Sequence, residues 1–513
     1  MNRPKKFLTN ALILSAAAIF MRTVSVVFGA YVSGKIGAEG MGLLALTTSA
    51  YSFAVTLATS GINLAVTRLV SGALAENNGY GVLCAVKKCI AYAATFGILS
   101  ATVLYFGADF ISERLLSDIR TLKSLKALSF SLPFIAITNV FSGYFTAVRR
   151  VYKNALSNVA EQFIKIALTL FFIARYARRG VEMACFAVVL GMSVSEGASF
   201  VYMLVLYLYD KKKHVSKSGI AQSGKISKEM LGIALPVALS AYLRSGLSTA
   251  EHILIPRGLE KFGAGSSEAL SLYGVVHGMV LPLVLFPSAI CATFASLIVP
   301  ELSELYSAYG RRDVGHIKYV VSRSVKFGLI FSVCVSGIMI TFADALGEIV
   351  YANEIAGKYI RVFGALVPIM YIDTAVDGML KGLGEQLANM RYNIIDAGAS
   401  VILVLLLVPR YGINGYVMCV FITETLNAVL SISRLVKVTG ARIIDPSCVL
   451  LSPLCAAGAV SMANLLFHAL GLSLSASTAL SVFVSLVLYI FFLISFGVIT
   501  SDDIKWLCKI IKS

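Results

Sequence analysis

Long stretches of this chain are apolar on every side, with no alternation to set one face apart. Val401 to Val408 and Leu480 to Phe496 are such runs, and apolar runs of 18 to 25 residues recur along the whole chain. That is the length a helix needs to cross a hydrocarbon core of roughly 30 Å at about 1.5 Å per residue. A barrel strand needs about half as much and alternates polar with apolar positions. The pattern predicts an all-α integral membrane protein. Helices are expected near residues 8–31, 42–71, 84–107, 125–148, 154–174 and 182–209, then near 230–255, 269–299, 320–343, 359–382, 392–408 and 413–436. Two more follow near 448–469 and 474–499, which makes about fourteen spans.

The chain repeats itself internally. Leu132-Pro133-Phe134 through Lys165 aligns without gaps on Val367-Pro368-Ile369 through Ser400 at a constant offset of 235 residues. Pro133 meets Pro368, Gly143 meets Gly378, Asn154 meets Asn389, Asn158 meets Asn393, and Glu161 meets Asp396. Shared hydrophobicity alone does not bring prolines, glycines and polar residues into register. Phe20-Met21-Arg22-Thr23 likewise meets Tyr242-Leu243-Arg244-Ser245, so the first helix corresponds to the seventh. The expected organisation is a six-helix lobe over 1–209, a basic linker over 210–229, and a second six-helix lobe over 230–440. Residues 441–513 add two helices, apolar all round, and a short tail. Six helices is an even number, so both lobes enter the membrane from the same side, related by an axis along the membrane normal. Two such bundles suit alternating access to a site near the midplane.

Composition agrees with this pattern. Of 513 residues 58% are hydrophobic and 14% charged, with a mean hydropathy of +0.83. A series of soluble domains is excluded. The net charge of +17 is concentrated in connections on the side of the N-terminus, including Lys211, Lys212, Lys217, Arg149, Arg150, Lys153, Arg311 and Arg312. By the positive-inside rule both termini are expected in the cytoplasm, and no nucleic-acid partner is implied. A preference for anionic membrane lipids is a by-product. Met1 to Lys6 followed by a long apolar run containing Arg22 is read as a retained first helix, not a cleaved leader. Nine cysteines are scattered singly without CxxC pairs, and no metal site is expected. With no Walker motif, nucleophile elbow or sizeable soluble domain, neither ATP hydrolysis nor a cofactor is expected.

Several charges fall inside the expected spans, where they are expensive. A guanidinium near a helix centre costs about 2.5–3.5 kcal/mol on insertion scales and needs a cavity or a partner. Arg22 and Arg244 are so placed. One reading is an internal ion pair, with Glu251 seven residues beyond Arg244. The other is an anion site, because arginine stays protonated and presents a planar fork of donors that suits phosphate oxygens. Arg68, near the end of the second helix, is a further candidate, or it snorkels. The acidic residues within spans are Glu161, Glu196, Glu251, Asp373, Asp377, Asp396 and Glu424. Asp373 and Asp377 share a helix face, and Glu161 and Lys165 have the spacing of a satisfied ion pair. Asp396 with Asn393, joined by Thr423 and Glu424, offers the oxygens that hold Na⁺ or carry a proton, and a hydrogen-bonded packing role is equally open. Lone His252 and His277 are read as packing residues. The glycines of Gly34-Lys35-Ile36-Gly37-Ala38-Glu39-Gly40-Met41-Gly42 suit a tight turn.

This turn after a helix containing Arg22, followed by Ser60-Gly61-Ile62-Asn63-Leu64-Ala65-Val66-Thr67-Arg68-Leu69-Val70, resembles one family over nearly the whole chain. It is the stage V sporulation protein B and polysaccharide-flippase branch of the multidrug, oligosaccharidyl-lipid and polysaccharide exporter superfamily. The resemblance implies flipping of an undecaprenyl-linked oligosaccharide, or the peptidoglycan precursor lipid II, to the outer leaflet of the cytoplasmic membrane. Envelope or spore-cortex synthesis machinery would be the partner, and membrane potential, Na⁺ or H⁺ the drive. In related lipid II flippases cavity-facing arginines engage the diphosphate, and Arg22 occupies the position of one. A groove formed by the last two helices holds the lipid tail there. The second arginine of those flippases, six residues on, is Phe28 here, so Arg68 or Arg244 would supply that charge.

Three other functions compete. A multidrug antiporter shares the architecture, but a cationic drug wants a carboxylate-lined aromatic cavity instead of mid-helix arginines, and twelve helices suffice. A membrane-embedded glycan polymerase needs a sizeable outer loop, and the longest expected, about Ala108 to Ser124, is short. A structural scaffold has no use for costly central charges.

Overall fold

The computed structural model describes residues 3–214, 223–307, 314–441, 446–469, 473–503 and 505–506. Lys217, Arg311, Arg312, part of the 210–229 linker and the tail from 507 lie outside the described residues. The described chain is helical throughout, with no strand. In chain order the first helices are α1 (Arg3–Thr59), α2 (Ile62–Ala75), α3 (Gly79–Phe110), α4 (Leu122–Ser129), α5 (Leu132–Ala147), α6 (Val151–Tyr176), α7 (Val181–His214), α8 (Ser223–Phe262) and α9 (Ser266–Tyr273). Then come α10 (Leu281–Leu285), α11 (Ser288–Ser307), α12 (Val314–Thr341), α13 (Ala343–Tyr351), α14 (Glu354–Gly364), α15 (Val367–Gly382), α16 (Gln386–Thr439), α17 (Pro446–Ala469) and α18 (Leu474–Ser495).

Eleven of the described helical segments are long and apolar enough to cross a membrane, or thirteen when two bent pairs are each taken as one span. The expected number of fourteen is not established by this count. The expected breaks between 31 and 42 and between 408 and 413 are present, and the structure departs from expectation at two other kinds of break. Straight helices of 57 and 54 residues would run about 80 Å, far beyond a bilayer, and α1 and α16 instead turn over at Gly37 (φ 73°) and Gly412 (φ 58°). Only glycine takes this left-handed backbone without a steric penalty. The expected spans 125–148 and 359–382 are each bent, by 45° between α4 and α5 and by 59° between α14 and α15. Both bends lie just before the repeat-related Pro133 and Pro368, which sit in the first turn of the following helix. Proline tolerates that place but cannot continue the preceding ladder. The expected span 269–299 is interrupted at Phe286-Pro287.

The helix ends reproduce the repeat: α5 and α15, and the starts of α6 and α16, differ by the same 235 residues. An ion pair pins each copy, and one member of each, Arg150 and Glu385, falls at matching positions with opposite charge. Arg150 and Lys153 hold Asp210 at the end of α7, while Glu385 accepts from Arg434 at 2.7 Å.

Two compact units emerge, one of residues 1–34 with 275–513 and the other of 35–274. These limits differ from the expected 1–209 and 230–440. The first expected helix belongs to the later unit, and α8 to the earlier one. Close backbone approach holds α8 there. A Cβ on Gly61 would lie 2.3 Å from the Ala234 carbonyl oxygen, and Tyr242 and Thr249 donate to the Leu57 and Ser49 carbonyls. The glycine turn does a second job in this unit, since a Cβ on Gly42 would meet the Leu270 carbonyl oxygen at 2.1 Å. Glu39 accepts from Arg120 at 2.7 Å, fixing the turn to the segment before α4.

Helices α17 and α18 pack in the sense expected of lipid-embedded helices. Leu450, Leu454, Leu465 and Phe483 point outward, while Ser477, Ser481, Ser485, Tyr489 and Leu493 recur every four residues on the buried face of α18. Small residues inside and large apolar ones outside is how helices associate in lipid, where apolarity alone gives no reason to pair.

Candidate functional site

Two groups of polar side chains stand out in the unit containing 1–34 and 275–513. The first is centred on Arg22. Its guanidinium is exposed and, among the described residues, makes one hydrogen bond, from Nη2 to the Leu285 carbonyl at 3.3 Å. Leu285 closes α10 at the Phe286-Pro287 interruption, so its carbonyl has left the helical ladder and accepts from Ser288 Oγ as well, at 2.6 Å. Tyr371 of α15 bonds the neighbouring Val284 carbonyl at 2.5 Å, and its ring hydroxyl lies within the field of Arg22. A single backbone carbonyl orients the arginine and leaves most of its donor fork open. That arrangement suits an anion with several oxygens, such as a phosphate group.

The second group is a set of carboxylates. Asp373 on α15 is buried, and its Oδ2 accepts from Asn427 Nδ2 at 2.8 Å. Asp377, one turn along, and Asp396 of α16 lie close enough to act on it electrostatically, and the Ser431 hydroxyl is beside it. Asp373 Oδ1 and Asn427 Oδ1 are buried with no hydrogen-bond partner among the described residues. Carboxylates gathered in a low-dielectric site repel one another unless a cation or a proton is shared among them. The oxygen-rich donor set fits either.

Among the expected ion-coupling residues, the structure brings together Asp373, Asp377 and Asp396. Asn393 turns instead to Asn389, donating to its Oδ1 at 2.6 Å, and Thr423 bonds the Cys419 carbonyl of its own helix. Glu424 is half-buried on the same helix. Glu251 belongs to the other unit, where it faces Tyr273. Asn427 and Ser431 were not expected. Their signal was present, because Thr423, Asn427 and Ser431 form a stripe at every fourth position of an apolar helix.

In the 35–274 unit, Arg244 and Arg68 are exposed and make no hydrogen bond or ion pair among the described residues. The suggested pairing of Arg244 with Glu251 does not form. Two helical turns separate them by about 10 Å, too far for direct contact. The expected Glu161–Lys165 ion pair is not formed either. Lys165 lies in the field of both Glu161 and Glu196 of α7, so a second carboxylate competes for it.

Solved structures share this arrangement of helices. The lipid II flippase MurJ in its inward closed conformation matches with a TM-score of 0.70 at 13% identity, over 94% of this chain and 99% of that one. An inward-facing multidrug resistance MATE family transporter of the MOP superfamily matches with a TM-score of 0.64 at 15% identity, over 83% of this chain and 99% of that one. Among sequences, stage V sporulation protein B of Bacillus subtilis (strain 168) is 25% identical over 506 residues, 97% of each chain. The lipid II flippase MurJ of the same organism is 22% identical over 332 residues, 59% of each chain. A family profile described as polysaccharide biosynthesis protein matches residues 7–304. The chain belongs to that family, within the polysaccharide-flippase branch of the multidrug, oligosaccharidyl-lipid and polysaccharide exporter superfamily.

Proposed function

We propose that this protein is a flippase that carries an undecaprenyl-linked oligosaccharide or lipid II across the cytoplasmic membrane by alternating access, serving envelope or spore-cortex polysaccharide synthesis. The observation that carries the reading is the Arg22 guanidinium, oriented by the Leu285 carbonyl with the rest of its fork open. Arg22 engages the diphosphate; in the other unit Arg244 and Arg68 are exposed and unpaired among the described residues, and each offers a guanidinium of the kind that binds phosphate oxygens. One relative's name, lipid II flippase, supports the same substrate class, and another's, stage V sporulation protein B, supports the link to sporulation. Both termini face the cytoplasm, following the positive charge of the connections. The Asp373, Asp377 and Asp396 group holds the coupling Na⁺ or proton.

A cation-coupled multidrug antiporter is the second reading, favoured by this carboxylate group and by the MATE structures of like fold. Reconstitution in liposomes separates the two. Polyprenyl-diphosphate sugar should be flipped by wild type and about ten- to hundredfold more slowly by Arg22→Ala, the cost of a lost charge-assisted contact, with partial recovery in Arg22→Lys. Unchanged flipping in Arg22→Ala removes the diphosphate role. Uptake of a cationic dye without any flipping establishes the antiporter.

A further inference from the structure

Between α12 and α18 lies a cavity of about 300 Å³ that neither group described above uses. Its walls are apolar, with Phe327 and Phe331 on one side and Leu486 and Ile490 on the other, and Trp506 at one end. Ile490 and Ile494 are about half exposed on a helix that faces lipid, so the cavity opens towards the acyl chains. Beside Trp506 the lining turns charged. Asp503 folds back from the end of α18 and is held by Arg323 and Lys326, one turn apart on α12, with Lys326 Nζ at 3.0 Å. The Thr500 N–H and hydroxyl also donate to Asp503, at 2.9 and 2.8 Å. Trp506 stands edge-on to Phe294, 6.0 Å between centroids, which fastens this C-terminal segment to the unit.

The charges do not cancel. Two cations meet one carboxylate, and their side chains keep 20% and 19% of their exposure, so neither is sealed in. We infer that this is a binding site for an anionic phospholipid, with one acyl chain in the cavity and the phosphodiester beside Arg323 and Lys326. A single phosphodiester charge together with Asp503 balances the two cations. A zwitterionic lipid brings the same chain but a headgroup ammonium that offsets the gain. The bound lipid is a resident of the membrane and not the transported molecule.

The test is competitive binding of phosphatidylglycerol and phosphatidylcholine with identical chains to the full-length protein, read by native mass spectrometry from mixed micelles. Wild type should prefer phosphatidylglycerol about fivefold, the effect of one basic charge at a membrane surface. Arg323→Gln and Lys326→Gln should each abolish that preference. Asp503→Asn, which leaves both cations uncompensated, should raise it about fivefold further. The opposite signs separate a lipid site from a merely structural clasp, which all three variants would loosen alike. Ile490→Trp, which fills the cavity from the lipid side, should lower the occupancy of both lipids. Equal binding of both lipids by wild type, or a fall in preference in Asp503→Asn, overturns the proposal. So does displacement of phosphatidylglycerol by an equimolar polyprenyl diphosphate, which would make the cavity part of the transport path.

Discussion

Asn427 offers a way to ask what charge the buried carboxylates carry. Its Nδ2 donates to Asp373 Oδ2 at 2.8 Å, and Asp373 Oδ1 has no hydrogen-bond partner among the described residues. If Asp373 is ionised, this bond is charge-assisted and its loss costs about 1.5–3 kcal/mol, whereas between neutral groups it is worth about 0.5–1.5 kcal/mol. Asn427→Ala alone mixes that term with the small cavity it leaves. The informative quantity is the coupling in a cycle with Asp373→Asn, measured by reversible unfolding in mixed micelles of detergent and dodecyl sulfate. A coupling of about 2 kcal/mol is expected in sodium buffer, where a cation shared with Asp377 and Asp396 keeps Asp373 charged. Replacing sodium by choline should reduce it towards the neutral value, as a proton takes the place of the cation. Wild type should also be stabilised by sodium, and Asp373→Asn should not. A coupling below about 0.5 kcal/mol in both buffers, within the range of simple additivity, would refute the reasoning that this oxygen set is organised around a charge.

Gly61→Ala should destabilise the protein by about 2–5 kcal/mol, combining a left-handed backbone (φ 77°) with a Cβ forced onto the Ala234 carbonyl. Gly72→Ala, inside α2 with open space around it, should be neutral or stabilising by up to about 1 kcal/mol, and equal thermal shifts for the two would contradict the packing argument. Burial raises the Asp503 carboxyl, but the Thr500 N–H and the Lys326 ammonium outweigh it and hold the group below its ordinary value of 3.8. Its stabilisation is therefore complete above that value and is lost as the pH falls through the lower, folded one. Thermal melts below about pH 4 should show wild type losing more stability than Asp503→Asn, and parallel curves would remove this role. Arg434→Glu should destabilise the α16 end, and adding Glu385→Arg should recover most of the loss, because position 150, which matches 385 in the other repeat, already carries an arginine that pairs with a carboxylate. No recovery in the double variant would mean that the pair is held by its surroundings and not by its charges.

Helix existence was legible because bilayer thickness imposes a length that few other demands imitate. The bends were also written in the chain, since Pro133 and Pro368 fall at the same place in the repeat and each opens a new helix. A hydropathy reading averages over such a residue and draws one straight span. The partner of Arg22 was illegible for a different reason. It is a backbone carbonyl released at Phe286-Pro287, and every residue carries a carbonyl, so nothing in the sequence distinguishes Leu285 as an acceptor. Spacing misled at Glu161 and Lys165, where one helix suggests a closed pair and Glu196 on the next helix divides the lysine's field. The assignment of the first helix to the later unit, and of α8 to the earlier one, rests on contacts of the same kind, among them hydrogen bonds to main-chain carbonyls and the missing Cβ of Gly61. In a chain this apolar, side-chain pattern announces where helices run. Interrupted main chain, at prolines and glycines, decides what the few charged residues meet.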